Sequence, residues 1–306
     1  MKLEKSILKI DCGKTSKETE DFIKKQLVEF NRDGVILGLS GGIDSAVAAA
    51  LAVRAVGKEK ILVLILPERD SDPQNIKDAR EYAKALGIEV IERNITPIIR
   101  KFGAYKIVPS AIFFPRKFKE KFVRKIHESF VEKGKRPFLE SMLGTKEDML
   151  EKGAAFYRIK VRARMLMLYF YAEQRNLLVL GTCNKTEKLI GFFAKHGDSA
   201  ADIVLLAHLY KTQVRELARY LDVPQKIIDK APSPDLLPGI TDEYAIGMPY
   251  ETVDLILYGL SNNMSKEEIA KELGIEADKV DYVIELNKKS KHMRELPREL
   301  PVSLGG

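Results

Sequence analysis

The chain has 306 residues, 45% of them hydrophobic and 31% charged, and a formal net charge of +7. That balance belongs to a globular protein and excludes a disordered one. No run approaches the roughly 20 apolar residues of a membrane helix. Two cysteines, Cys12 and Cys183, exclude a disulfide framework, and the four histidines are too scattered for a structural zinc site. Charges are spread through the opening MKLEKSILKIDCG and leave no signal-peptide core, so the expected location is the cytoplasm.

In chain order, Thr15-Ser-Lys-Glu18 has the form of a capping box and predicts a helix with Phe22, Ile23, Leu27 and Phe30 on one face. Residues 31–34 end it, and Val35–Leu39 reads as a short buried strand. A helix over 44–56 stops near Gly57. The apolar run 61–67 is a second strand, suited to a parallel sheet covered on both faces. Asp72-Pro73 opens a helix to Leu86 with Gly87 as its stop, and 88–95 is a third strand. Strands alternating with helices predict an α/β fold, a doubly wound parallel sheet with flanking helices.

Residues 105–153 break that rhythm and read as a basic, aromatic-rich insertion, partly helical, within a single domain 1–306. Its segment 116–136 holds nine Lys/Arg against three Glu, nearly the whole net charge of the chain. A solvated helical face and an anion-binding or docking surface both fit such a run. A long helix over 154–175 follows, with Met165, Leu166, Leu168 and Phe170 read as core. After it come a strand at 177–181, helices near 212–221 and 224–229, and a Pro-rich loop at 232–239. Three short helices fill 249–289, one capped by Ser265 and closed by Gly274.

The most specific string is Leu37-Gly-Leu-Ser-Gly-Gly-Ile-Asp-Ser45, a strand that ends in Ser40-Gly41-Gly42 and a helix that opens at Asp44-Ser45. Glycines lack the Cβ that would keep an anion from backbone N–H groups. The helix N-terminus adds partial positive charge, and Ser40 and Ser45 add hydroxyl donors. A carboxylate at Asp44 beside a phosphate calls for a cation between them, and Mg²⁺ shared by carboxylate and phosphate oxygens meets that need. The GxxxxGK[ST] loop differs, because it sets a lysine at the helix start. The plain alternative is a tight strand-to-helix turn capped by Asp44.

The string SGGIDS resembles the pyrophosphate loop of the N-type ATP pyrophosphatases, which split ATP to AMP and pyrophosphate while adenylating a substrate oxygen. Further segments resemble, in the same order, those of ammonia-dependent NAD synthetase: IKVRARML (159–166), GTCNKTEKLIGFFAKHGDSAADI (181–203), LYKTQVRELARYL (209–221), APSPDLLPGITDEYAIGMPYETVD (231–254) and SKHMRELP (290–297). The resemblance spans nearly everything except the insertion. It implies an adenine nucleotide alpha-hydrolase-like fold and a C–N bond-forming ligase that amidates deamido-NAD with ammonia, giving NAD, AMP and pyrophosphate.

The resemblance also implies roles. ATP would meet Gly38, Leu39, Ser40, Gly41, Gly42, Ile43, Asp44, Ser45, Thr182, Lys211 and Ser233, with Asp44 and Lys211 catalytic. Asp44 and Glu187 would hold Mg²⁺. Deamido-NAD would meet Arg162, Lys195, Asp202 and His292, some of them across the interface of a homodimer. No glutaminase-like segment is legible, so ammonia is expected free or from a separate donor. Cys183, His208, Ile240 and Met293 depart from the family pattern. They leave room for a paralogue that applies the same ATP chemistry to another carboxylate, or to tRNA gripped by 116–136.

Overall fold

The structure, a computed structural model, describes residues 2–107, 116–144, 147–297 and 299–300. Within them, five strands form the sheet: β1 (Gly34–Gly38), β2 (Ile61–Ile65), β3 (Glu89–Glu92), β4 (Leu177–Gly181) and β5 (Ile203–Val204). Their order is β3-β2-β1-β4-β5, and every pairing is parallel. The chain runs outward from β1 to β3 and then returns to the other side of β1 for β4. The order therefore reverses between β1 and β4, and in open parallel sheets ligands bind in the crevice beyond the carboxyl ends at that reversal.

The first helices alternate with the strands: α1 (Cys12–Glu29), α2 (Ile43–Val56), α3 (Pro73–Leu86) and α4 (Thr96–Lys101), with α5 (Ala104–Ile107) directly after α4. Next come α6 (Arg116–Glu132), α7 (Pro137–Leu143), α8 (Asp148–Gln174), α9 (Lys185–Ile190), α10 (Lys211–Tyr220) and α11 (Gln225–Ile228). The C-terminal part holds α12 (Asp242–Ile246), α13 (Tyr250–Ser261), α14 (Lys266–Leu273), α15 (Ala277–Lys289) and α16 (Lys291–Arg294).

The central strands are apolar throughout because both of their faces are covered. Val35, Leu37, Ile61, Val63, Ile65, Leu178 and Leu180 point into one core with α1, α2 and α10. Ile36, Leu62, Leu64 and Val179 point into the other, against α8. Alternation along each strand thus persists, but both sides are dry. Each such side chain contributes about 1.5–3 kcal/mol by leaving water. A third core gathers α9, α13, α14 and α15 behind the crevice.

Several sequence expectations need correction. Thr15–Glu18 is not the cap of α1: the helix begins at Cys12, and the Asp11 carboxylate accepts from the Lys14 amide at 2.9 Å. Ile23 and Leu27 are buried as expected, but Phe22 and Phe30 are exposed. Phe22 sits one residue, about 100° of turn, away from the buried stripe. On α8, Met165 and Leu168 are core, while Leu166 and Phe170 face outward. The expected insertion gives up its last residues to α8, which starts at Asp148, and positions 108–115 and 145–146 lie outside the described residues. The third strand is shorter than 88–95 and half-exposed, as the edge of the sheet.

The caps read at Asp72, Gly87, Ser265 and Gly274 stand where expected. Helix α6 lies over the Pro-rich loop. Arg124 Nε donates to the Gly239 carbonyl at 2.9 Å, and the Tyr244 hydroxyl donates to Glu128 at 3.2 Å. At least one charge of the basic segment is therefore structural. No helix among the described residues is long and apolar enough to cross a membrane.

Candidate active site

Strand β1 delivers the chain to the crevice, and the loop after it is held open by its own hydroxyls. The Ser40 amide donates to Ser45 Oγ at 3.2 Å, Ser45 Oγ donates to the Gly42 carbonyl at 3.0 Å, and the Gly42 amide donates to Ser40 Oγ at 3.2 Å. Gly41 has φ +78, and a Cβ there would come within 2.2 Å of the Asn75 carbonyl, so only glycine fits. Gly42 precedes α2 and has no side chain to cap it. The amides of the first turn of α2 are thus left for an external anion. Asp44 is in that first turn, not at the cap, so the plain turn-and-cap alternative does not hold.

Opposite this loop, β4 ends and the segment 182–187 turns into α9. Asn184 caps α9 reciprocally with Glu187, and its side-chain amide donates to Asp44 Oδ1 at 2.9 Å. The Lys211 ammonium lies between two acids, 2.5 Å from Asp44 Oδ2 and 3.2 Å from Glu187 Oε1. Behind it, the Lys211 amide donates to Thr186 Oγ1 at 3.0 Å, and Asp254 binds both the Thr186 hydroxyl and the Thr212 amide. Helices α9, α10 and α13 are locked together beneath the lysine.

The charges are strongly perturbed. Burial works against the Lys211 ammonium, but Asp44, Glu187 and Asp242 outweigh it and raise its pKa. Burial pushes the Glu187 carboxyl up, with Lys211 opposing and Asp44 adding to the rise. Asp242 is driven to about 6 by burial, again with Lys211 opposing. Its Oδ2 accepts from Tyr250 at 2.9 Å, while Oδ1 is buried without a partner. Three carboxyl groups thus face one ammonium, and one carboxyl oxygen is unsatisfied. Among the described residues no three His, Cys, Asp or Glu side chains form a metal cage. Mg²⁺ needs only one or two carboxylates beside substrate phosphates, and the acid excess here suits such an ion.

A cavity of about 300 Å³ joins these parts. Of the expected ATP residues, Gly38, Leu39, Ser40, Gly42, Ile43, Asp44, Ser45, Thr182, Lys211 and Ser233 line it, and so does Glu187, expected with Asp44 to hold the metal. Gly41 does not line it; its Cα is packed against the Asn75 backbone. The four expected dinucleotide residues lie outside that lining. Three of them are linked: Arg162 donates twice to the Lys195 carbonyl at 3.2 Å, and Lys195 Nζ donates to the His292 carbonyl at 2.8 Å. Asp202 stands apart, holding the Tyr169 hydroxyl at 2.9 Å and the Val179 amide at 2.8 Å.

Sequence reasoning missed four groups of the site, three that line the cavity and Asn184 buried behind Asp44. Asn184 and Asp242 stood inside quoted motifs, as the Asn of GTCN and the Asp of ITDE, without a role. Arg164 lines the wall and donates to the Leu66 carbonyl at 3.2 Å. Lys230 reaches the Gly41 carbonyl at 3.0 Å across 189 positions, and no local string signals that.

A family model described as NAD synthase matches residues 15–125 and 116–297, and those two spans meet in the basic helix α6. The chain belongs to the NAD synthase family. It is accordingly a ligase that forms a C–N bond. Within the family, the chain is 45% identical over 276 residues to the NH(3)-dependent NAD(+) synthetase of Thermotoga maritima, covering 90% of this chain and 95% of that one. It is 40% identical over 276 residues to the enzyme of the same name from Methanocaldococcus jannaschii, covering 90% and 92%. Among solved structures, an NMN synthetase from Francisella tularensis matches with TM-score 0.72 and 31% identity over 96% of this chain and all 100% of that one. An NH3-dependent NAD synthetase from Campylobacter jejuni matches with TM-score 0.67 and 25% identity, over 95% and 100%.

Asp198 at the cavity wall gives a pH test. Burial raises its pKa from 3.8 to about 6, while its carboxylate accepts from the Ala194 amide at 2.8 Å. An acid whose folded pKa is raised weakens the fold as pH climbs from the unfolded value to the folded one, and its effect is constant above that. Asp198→Asn keeps an acceptor for Ala194 but cannot ionise. Urea unfolding should show the variant gaining on the wild type between about pH 4 and 6 and holding that gain above it. A difference that does not vary with pH would contradict this.

Proposed function

We propose that the chain amidates deamido-NAD with ammonia at the expense of ATP, releasing AMP and pyrophosphate. The observation that carries this is the open Ser40–Ser45 loop, with its own Asp44, meeting Lys211 and Glu187 at one cavity. The substrate carboxylate attacks the α-phosphorus of ATP and pyrophosphate leaves onto the loop amides. Ammonia then attacks the resulting mixed anhydride at the carbonyl carbon, AMP departs with the bonding electrons, and one proton is lost to solvent. No side chain becomes covalently attached. Positioning and fixed charge lower the barrier.

The proposal gives each residue a role. Lys211, held charged by its acids, faces the phosphates with an ammonium that needs no reorganisation during reaction. Ser40 and Ser45 keep the loop amides aimed at the anion. Thr182 and Ser233 complete the ATP site. Asp44 and Glu187 would hold Mg²⁺, which when bound neutralises phosphate charge. Arg162, Lys195, Asp202 and His292 serve the dinucleotide, with ammonia drawn from solution or from a separate donor. The reaction assigned here is that of a cytoplasmic enzyme.

The direct test is AMP and pyrophosphate release, assayed with deamido-NAD and ammonia. Stoichiometric release that needs both is expected, and Asp44→Ala and Lys211→Met should each lower the rate by about 100-fold or more. ADP formation, or no turnover, would contradict the assignment. Because one matched structure is named an NMN synthetase, nicotinic acid mononucleotide is the necessary second acceptor. Faster turnover of the mononucleotide would move the assignment to that smaller substrate.

A homodimer is proposed with it. Leu166 and Phe170 are 61% and 52% exposed, one turn apart on α8, and Arg162 is one turn further along the same face. An apolar stripe beside a substrate residue fits an interface to which the site is joined. Leu166→Glu with Phe170→Glu should convert the dimer to monomer in light scattering. A wild type that is itself monomeric would refute the proposal.

A further inference from the structure

Lys230 lies just after α11 and has no part in the roles assigned above. Its ammonium donates to the Gly41 carbonyl at 3.0 Å and to Asn75 Oδ1 at 2.9 Å, and it pairs with Asp78. The Gly41 carbonyl belongs to the same peptide as the Gly42 amide, which donates to Ser40 Oγ at 3.2 Å. The Gly41–Gly42 peptide is therefore gripped at both ends. Its carbonyl is drawn toward the lysine, so its negative end is neutralised. Left free to turn, that carbonyl could face an anion in the loop and repel it.

Asp78 does not depend on this lysine. The acid is 1% exposed and also receives Gln74 Nε2 at 2.9 Å and Lys226 Nζ at 3.2 Å. Two donors remain to it whatever Lys230 does. Lys230 itself is 25% exposed and lines the cavity on the glycine-loop side, with Asn75 beside it. A cation whose acid is already satisfied, bound to the backbone of an anion loop and open to its cavity, does more than brace α3.

We propose that Lys230 is a positioning residue of the phosphate loop. Its ammonium fixes the Gly41–Gly42 peptide and adds positive charge where the β- and γ-phosphates of ATP lie, an inference that rests on the ATP reading above. It follows that Lys230 discriminates between nucleotides by their phosphate tail and leaves recognition of the nucleoside and α-phosphate untouched.

Isothermal titration of ATP and of AMP, both in magnesium buffer, into wild type, Lys230→Met and Lys230→Arg tests this. Loss of a charged hydrogen bond predicts that Lys230→Met weakens ATP about tenfold or more, while AMP changes by less than about threefold. Lys230→Arg should recover most of the ATP affinity. Lys230→Gln, whose amide can still donate to Gly41 but carries no charge, serves if the methionine variant does not fold, with the same contrast expected. Equal weakening of both nucleotides would make the residue merely structural and overturn the inference, as would unchanged ATP affinity. A wild type that binds neither nucleotide would instead refute the ATP reading, and this inference with it.

Discussion

The ammonium of Lys211 between Asp44 and Glu187 is the contact on which the rest of the site depends. It brings together the start of α2, the start of α9 and the start of α10, three points 24 to 167 positions apart in the chain. A buried cation between two partly buried acids is costly to assemble, because each charge gives up water that its partners must replace. Here the fold supplies the compensation. Asn184 adds a hydrogen bond to Asp44, the α9 cap adds one to Glu187, and Thr186 and Asp254 hold the backbone beneath the lysine. The result is a fixed charge array that needs no rearrangement to meet a polyphosphate.

Topology decides where that array forms. The strand order reverses between β1 and β4, so the loops leaving those two strands diverge and leave a crevice. One loop is the glycine turn with its open amides, and the other carries Thr182, Asn184 and Glu187. Both strands are flanked by full cores, which fixes the two loops relative to one another. The Pro-rich segment closes the side of the cavity through three unrelated contacts: Asp235 on the Asp72 amide, Lys160 on the Leu236 carbonyl and Arg124 on the Gly239 carbonyl. Precision at the site is therefore inherited from the sheet, and the wall around it is assembled from distant pieces.

What was legible in the sequence is what is local. The Ser40–Ser45 loop is a contiguous string whose glycines, hydroxyls and helix start each have a physical reason. Glu187 and Lys211 lie in motifs that keep their own spacing, and the parallel sheet follows from apolar runs separated by helices. Illegible parts are those made by tertiary contact. Lys230 meets Gly41 only because α11 packs beside α2 and α3, and the unpartnered oxygen of Asp242 exists only once Tyr250 covers its neighbour. At α1, Asp11 caps the helix and the capping-box string at 15–18 lies inside it. Leu166 and Phe170 show the same limit, since apolar character on a helix does not reveal which face the core will take.

In the proposed reaction, backbone amides between β1 and α2 hold the leaving diphosphate while Lys211 faces the phosphorus under attack. A crystal structure with α,β-methylene ATP, whose bridging carbon prevents cleavage, tests it most directly. The β- and γ-phosphates should lie on the amides of residues 41 and 43–45, with the α-phosphate turned toward Lys211. Phosphates seated elsewhere in the molecule, with that loop left bare, would contradict it.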